Sequence, residues 1–174
     1  MSSCVYAIAD TDAKAVRIAT RLKASGFSPS DISVLAPDRA GPRDLAVDNS
    51  TKVPEGAATG AGTGAILGGA LGWLAGVGAL AIPGLGPLIA AGPILAALSG
   101  AAVGGTLGGL TGALAGLGIP EYEAHQYESK LKSGNILLAV HVDDSEEAAL
   151  VRQIMAEEQA EDISTGSEAV PANR

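Results

Sequence analysis

The feature that most constrains this chain is a stretch, residues 56–120, without a single charged side chain. Within it, glycine recurs at every fourth position in two runs. The first run is Gly56, Gly60, Gly64, Gly68, Gly72 and Gly76, and the second is Gly100, Gly104, Gly108, Gly112 and Gly116. Residues four apart share one face of a helix, so each run predicts a helix with a groove free of side chains. The backbone of another helix can pack closely into such a groove.

A proline-rich turn separates the two glycine runs at residues 82–87. Its turn residues are Pro83, Gly84, Gly86 and Pro87. We therefore predict two helices of about 25 residues each, folded into a hairpin. An interior glycine costs about 1 kcal/mol relative to alanine, and residues 56–81 hold nine glycines, so an isolated helix here is poor. Close helix packing or a lipid environment offsets that cost.

The length of these predicted helices suits a lipid bilayer. About 25 residues span about 38 Å, against a hydrocarbon core of about 30 Å. The many glycines and alanines make each helix a marginal inserter alone, whereas a hairpin inserts more readily. We predict a membrane hairpin. Two alternatives stay open: an assembly in water with the hairpins packed inside, and a flexible low-complexity segment, against which the strict period speaks.

Charge is distributed unevenly along the chain. The formal net charge is −8. Residues 1–55 balance seven basic against seven acidic side chains, whereas residues 121–174 hold four basic and twelve acidic ones. Because no basic patch stands out, we expect no nucleic-acid partner. The N-terminal residues lack the pattern of a secretory signal peptide, which predicts a cytoplasmic α+β domain.

The chain before the uncharged stretch has a β-α-β pattern. Residues 5–9 and 31–35 are predicted strands. Between them, Asp10, Thr11 and Asp12 supply capping oxygens for an amphipathic helix that ends at Gly26. Its apolar stripe is Ala15, Ile18, Ala19 and Leu22.

The chain after the uncharged stretch repeats this pattern behind one extra helix. The extra helix covers residues 121–133, with Ala124, Tyr127 and Leu131 on one face and a Glu128–Lys132 pair. A strand at 136–142, a helix at 145–159 and a short strand at 162–164 follow. Asp144 and Glu147 resemble a capping box.

Two such halves predict an α+β fold, a ferredoxin-like βαβ…βαβ sandwich with an inserted glycine-zipper helical hairpin. The predicted parts are the first βαβ half at 1–36, a linker at 37–54, the hairpin at 55–119, a helix with the second βαβ half at 120–166, and a flexible tail at 167–174.

Three stretches of this sequence form a recognisable combination: Pro54–Gly64, Ala79–Pro87 and Gly118–Ala124. Together they resemble a bacterial family of general stress, heat-induced or low-temperature-induced proteins. The similarity extends over nearly the whole chain, through Val140–Asp143. It implies a stress-linked, non-enzymatic protein and supplies no functional residues. A more distant similarity, in architecture only, is to the small membrane subunit of a bacterial quinol-oxidising complex.

Few side chains suggest chemistry. Cys4 has no second cysteine to pair with in the chain, and no basic residue near it in the sequence would activate the thiol. His125 is predicted on a helix surface, and His141 is predicted to be structural or solvent-facing. Asp143 and Asp144 are explained as helix caps. We therefore predict no catalytic, cofactor-binding or metal-binding residue, and no enzyme.

The sequence thus predicts a self-associating stress protein of the inner membrane, with its α+β domain in the cytoplasm. Its partners would be other copies of itself and the lipid bilayer, with no small-molecule substrate. The open alternatives are a self-assembling particle or filament in water, and a small subunit of a membrane redox complex.

Overall fold

The computed structural model describes residues 3–38, 77–82, 86–94, 109–116 and 118–167. These ranges contain six strands and four helices, so the fold is α+β. In chain order they are β1 (Ser3–Ala9), α1 (Asp12–Ala24), β2 (Ile32–Pro37), β3 (Val77–Ile82), β4 (Gly86–Ala91), α2 (Gly109–Gly116), α3 (Glu121–Lys132), β5 (Ile136–Val142), α4 (Ser145–Glu157) and β6 (Glu161–Ser167).

The six strands form one antiparallel sheet in the order β3–β4–β2–β5–β1–β6. Strands β1 and β5 pair along seven residues each, from Ser3 opposite Val142 to Ala9 opposite Ile136. These two strands come from opposite sides of the uncharged stretch. The sheet therefore forms only when both halves of the chain are present.

Helices α1 and α4 cover one face of the sheet. Their buried side chains, Ala15, Ile18, Ala19, Leu22, Ala148, Val151, Ile154 and Met155, pack on residues of four strands in one cluster. Ile136, Leu138 and Val140 are the β5 side chains on this face, and all three are fully buried.

Helices α2 and α3 cover the opposite face. The apolar side chains that α2 and α3 bury are Leu110, Leu114, Ala124, Tyr127 and Leu131. They meet Leu137 and Ala139 of β5. Because both faces are covered, β1 and β5 read as continuous apolar runs instead of alternating ones.

The local predictions for the two β-α-β halves are confirmed. The predicted stripes of α1 and α3 are buried. Thr11 caps α1, since its hydroxyl accepts the backbone N–H of Lys14 at 3.4 Å. Asp144 caps α4 and accepts the N–H groups of Glu146 and Glu147 at 2.8 Å each.

The helix predicted up to residue 81 is wrong over residues 77–81, which belong to strand β3. The predicted turn region is also partly extended, because residues 86–91 form strand β4. Two physical causes explain the difference. The four-residue glycine period stops at Gly76, and Pro83, Pro87 and Pro93 are unsuited to helix interiors. Pairing of β3 with β4, and of β4 with β2, then decides the conformation.

The second glycine run is helical where it is described, over the eight residues of α2. The rest of the predicted hairpin, residues 55–76 and 95–108, lies outside the described residues. Most of the predicted linker and tail, residues 39–54 and 168–174, lies outside them too.

Candidate functional site

The uncharged stretch is anchored in the domain at its middle, through β4. Strand β4 pairs with β2 from Val34 opposite Ala91 to Pro37 opposite Leu88. Leu88, Ala90 and Ile94 are buried in the α2/α3 core. The segment that follows the predicted hairpin turn is therefore part of the domain core.

Gly92 permits the close approach that ends β4. Its φ of +82° is a conformation that side chains with a Cβ rarely adopt. A Cβ at this position would also collide with the carbonyl oxygen of Ile32. Two residues on, the backbone N–H of Ile94 donates to Ser33 Oγ at 3.1 Å in a buried hydrogen bond. The end of β4 is thereby fixed against β2.

Helix α2 anchors the far end of the uncharged stretch on α3. The backbone N–H of Thr111 donates to Glu128 Oε2 at 3.1 Å, and its hydroxyl donates to the same oxygen. Lys132 Nζ donates to Glu128 Oε1 at 2.7 Å, so the predicted i, i+4 pair is confirmed. His125 Nδ1 lies 3.4 Å from Thr111 Oγ1. One carboxylate thus joins the two helices.

The pKa of Glu128 reflects this position. Burial raises the pKa, but the hydrogen bonds from Lys132 and Thr111 outweigh burial, and the net pKa lies below the ordinary glutamate value. The side chain is only 18% exposed. Glu128 therefore stays ionised as the link between α2 and α3.

Most of the predicted packing glycines and two of the predicted turn residues lie outside the described residues. These are Gly56, Gly60, Gly64, Gly68, Gly72, Gly76, Gly100, Gly104, Gly108, Pro83 and Gly84. Gly112 and Gly116 lie in α2, whereas Gly86 and Pro87 lie in β4, where Gly86 is opposite Ile82. The chain does reverse between Ile82 and Gly86, but it joins two strands.

Strand β3 is one edge of the sheet. Its six residues, Val-Gly-Ala-Leu-Ala-Ile, carry no charge and no proline. They pair with β4 along their whole length, from Val77 opposite Ala91 to Ile82 opposite Gly86. No described strand pairs with its outer side. An uncharged, apolar edge of this kind is a template for strand addition.

A second cluster lies within the sheet, where β1 pairs with β5. Cys4 is directly opposite His141. The sulfur lies 4.0 Å from His141 Nδ1, and His141 Nε2 lies 3.7 Å from Asp143 Oδ1. Sequence reasoning missed this neighbour of Cys4, because 137 residues separate the two. The register of two distant strands leaves no signal in a single sequence.

An open cavity of about 320 Å³ lies near the same end of β5. Asp31, Asp143 and Glu147 contribute to its lining. The Asp31 carboxylate accepts the backbone N–H of Ser28 at 3.0 Å, and that of Glu147 accepts the N–H of Asp143 at 2.9 Å. Those two carboxylates are accounted for by local turns and caps.

Comparison with protein-family models, curated proteins and solved structures finds no match to this chain. Among the described residues, no three His, Cys, Asp or Glu side chains are grouped to hold a metal ion. Over those same ranges, none of the helices has the length and apolar character needed to cross a membrane.

Proposed function

We propose that this protein is a non-enzymatic scaffold that self-associates through its uncharged, glycine-rich stretch. We assign the core of its domain to the ferredoxin-like class. The strand order β2–β5–β1–β6, built from two β-α-β halves, supports that assignment. The glycine-rich stretch enters the chain between the two halves.

The observation that carries the proposal is the anchoring of this stretch to the domain. Strand β4 holds its middle against β2, and the Thr111–Glu128 contact holds its far end on α3. The two segments that hold the rest of the glycine pattern, residues 39–76 and 95–108, are thus bounded at both ends by described residues of the domain. If these residues are helical, a row of glycines at every fourth position would form a face without side chains, and the backbones of two copies could approach each other closely along it.

We propose that association takes place at the cytoplasmic face of the inner membrane. The uncharged composition of residues 56–76 supports contact with lipid. Strands β3 and β4 pair antiparallel, so the start of β3 at Val77 and the end of β4 at Ala91 lie side by side at one end of the sheet. The chain therefore reaches β3 and departs from β4 at the same end of the domain. We therefore propose that the stretch enters one leaflet and does not pass across the bilayer. A link to stress follows from the family resemblance alone.

The test replaces Gly68 and Gly108 with leucine, each singly, in the full chain. We expect both variants to lose self-association in detergent, measured by sedimentation velocity, because leucine fills the groove. Ala70→Leu and Ala102→Leu are matched controls, since they add bulk outside the glycine rows. Equal association of all four variants and the wild type would remove the glycine rows as the contact surface.

The proposed membrane location is tested separately, by flotation with vesicles that have the lipid composition of a bacterial inner membrane. We expect the wild type to float with the vesicles and to need detergent for release. A chain that stays at the bottom of the gradient as a large lipid-free particle would contradict the membrane proposal.

A second candidate function is the assembly in water. The observation in its favour is the uncharged edge strand β3, which would add strands from other copies without lipid. This candidate predicts a large, uniform particle or filament in the absence of detergent. The redox-complex alternative stays a prediction that no contact described here bears on.

A further inference from the structure

We propose that Cys4 and His141 form a reactive-thiol site that takes small disulfides and becomes a mixed disulfide. The chemistry of the pair is that of a thiol beside a proton acceptor. This role is independent of the glycine-rich stretch, since Cys4 lies in β1 and His141 lies in β5.

The geometry brings the sulfur and the imidazole together by strand register. Cys4 of β1 is opposite His141 of β5, with Sγ and Nδ1 4.0 Å apart. Both residues are partly exposed, and the His141 side chain is 30% accessible. The two groups are therefore held by the best-paired part of the sheet and still open to a small reagent.

The other neighbour of Cys4 in the sheet is a glycine. Strand β6 places Gly166 opposite Cys4, so β6 contributes no side chain at that position. A Cβ at Gly166 would approach Tyr6 Cε2 to 3.1 Å and the Gly118 carbonyl oxygen to 3.3 Å, so the glycine fits the loop before α3. Cys4 is partly buried against the α2/α3 core, which leaves His141 as its polar cross-strand neighbour on β5.

Asp143 lies on the other side of the imidazole. Its Oδ1 is 3.7 Å from His141 Nε2, which is too far for a hydrogen bond, and the Asp143 side chain is 83% exposed. A surface contact of this length contributes little, so the sulfur–Nδ1 pair carries the chemistry.

The reaction is thiol–disulfide exchange. The proton of the Cys4 thiol moves to His141 Nδ1, and the resulting thiolate attacks one sulfur of the disulfide. The S–S bond of the reagent breaks, a new S–S bond forms to Cys4, and the other half leaves as a thiolate. The disulfide itself is the oxidant. Because the chain has a single cysteine, no internal thiol removes the adduct.

The test measures the rate of Cys4 modification near pH 7 with two disulfides, the dianionic dithiobis-nitrobenzoate and the neutral dithiodipyridine. In the full chain, His141→Gln is expected to slow both reactions by about tenfold or more, as for loss of a proton acceptor. His125→Gln is the matched control, because His125 contacts Thr111 and not Cys4. Cys4→Ser gives the blank.

Three results would overturn the proposal. The first is an unchanged or increased rate in His141→Gln, which means that the histidine only shields the thiol. The second is a slower rate with the anionic reagent alone, which means that His141 acts only by attracting it. The third needs no variant: a native wild-type chain that reacts more slowly than the same chain in denaturing urea.

Discussion

The two edges of the sheet are built in opposite ways. Strand β6 carries Glu161 and Asp162, and its pairing with β1 contains a bulge, with two residues of β6 opposite Ala7. Asp162 there has a φ of +50°. Strand β3 is uncharged, pairs regularly with β4 and has no bulge in that pairing.

These differences match two different uses of a sheet edge. Charges and bulges prevent a strand from pairing with another chain, so β6 is protected. It is also tied to α3, since Lys130 Nζ lies 2.6 Å from Glu161 Oε2. Strand β3 has none of these protections among its own residues. We conclude that the β6 edge is protected against pairing with another strand. The β3 edge, which lies within the uncharged stretch, carries no such protection among its own residues.

The largest effect is expected where the β3–β4 edge joins the sheet. Gly92→Ala adds a Cβ that meets the Ile32 carbonyl, at a φ that costs about 1–2 kcal/mol for other residues. With the collision included, we expect a loss of about 3 kcal/mol or more in the free energy of unfolding. Urea unfolding measures it.

Gly26→Ala is the matched control for this change. Gly26 also has a positive φ, +100°, but nothing lies within 4 Å of an added Cβ. Only the cost of a positive φ applies at Gly26. The loss in the free energy of unfolding should therefore be about 1–3 kcal/mol smaller than for Gly92→Ala. Equal losses at the two positions would mean that β4 does not lie as close to β2 as the structure shows.

The next effect concerns the β6 edge. The Tyr127 hydroxyl donates to the Asp162 carbonyl oxygen at 2.9 Å and lies 2.7 Å from Ser164 Oγ. Tyr127→Phe should cost about 1–3 kcal/mol of unfolding free energy, because buried polar groups lose their partner. Tyr122→Phe, at a residue 78% exposed, should change stability by less than about 0.5 kcal/mol.

The same tyrosine gives a pH dependence. Burial raises the pKa of Tyr127 to about 12, and the hydrogen bond with Ser164 offsets only part of that rise. The ordinary tyrosine pKa is about 10. Because the folded state favours the neutral phenol, its stabilisation is complete below about pH 10 and is lost as pH rises towards 12. Tyr127→Phe should therefore lose less stability than the wild type over this range.

A smaller effect is expected at the contact between α2 and α3. Glu128→Gln keeps the shape but removes the charge that accepts from Thr111 and Lys132, which should cost about 1 kcal/mol. Glu121→Gln, an exposed position of the same helix, should change stability by less than about 0.5 kcal/mol. Chemical denaturation at neutral pH compares them.

The pH dependence at Glu128 has the opposite sign. Its folded pKa is lowered, so its contribution is present above the ordinary pKa of 4.5 and is lost as pH falls through the folded value. The stability difference between wild type and Glu128→Gln should shrink in acid. A difference that stays constant from neutral pH to about pH 3 would show that the carboxylate does not stabilise the contact.

Local patterns in the sequence predicted the helices and central strands well. Ala15, Ile18 and Leu22 recur at helical spacing, and residues 136–142 form an apolar run, so both elements could be identified without knowing their neighbours. The Glu128–Lys132 pair was predictable for the same reason. A helical period shows which face of α1 is buried, and a continuous apolar run shows that β5 is buried on both faces. Each of these patterns extends along the whole element.

Strands β3 and β4 could not be predicted in this way. Val77–Ile82 contains small and apolar residues that fit a helix or a strand. This segment pairs with β4, and β4 in turn pairs with β2, which lies more than 50 residues earlier in the chain. Thr111 as the partner of Glu128, and His141 as the partner of Cys4, depend on packing and register between distant segments. A single sequence records none of these long-range contacts.

The last prediction tests the difference between the edges directly. Ala79→Lys places a charge in the middle of β3, at the position opposite Ile89. An edge lysine disfavours pairing with another strand, so self-association without detergent should weaken. Urea unfolding of the same variant checks that a weaker association does not come from a loss of stability. Sedimentation velocity across a range of protein concentrations measures the change in association.

Thr165→Lys puts the same charge on the exposed β6 edge, which is already protected, so it should leave association unchanged. If both lysines weaken association equally, net charge and not the edge governs it, because each substitution changes the net charge alike. If neither lysine has an effect while Gly68→Leu does, the glycine row alone brings copies together. Strand β3 would then be an edge that the rest of the chain or its surroundings protect.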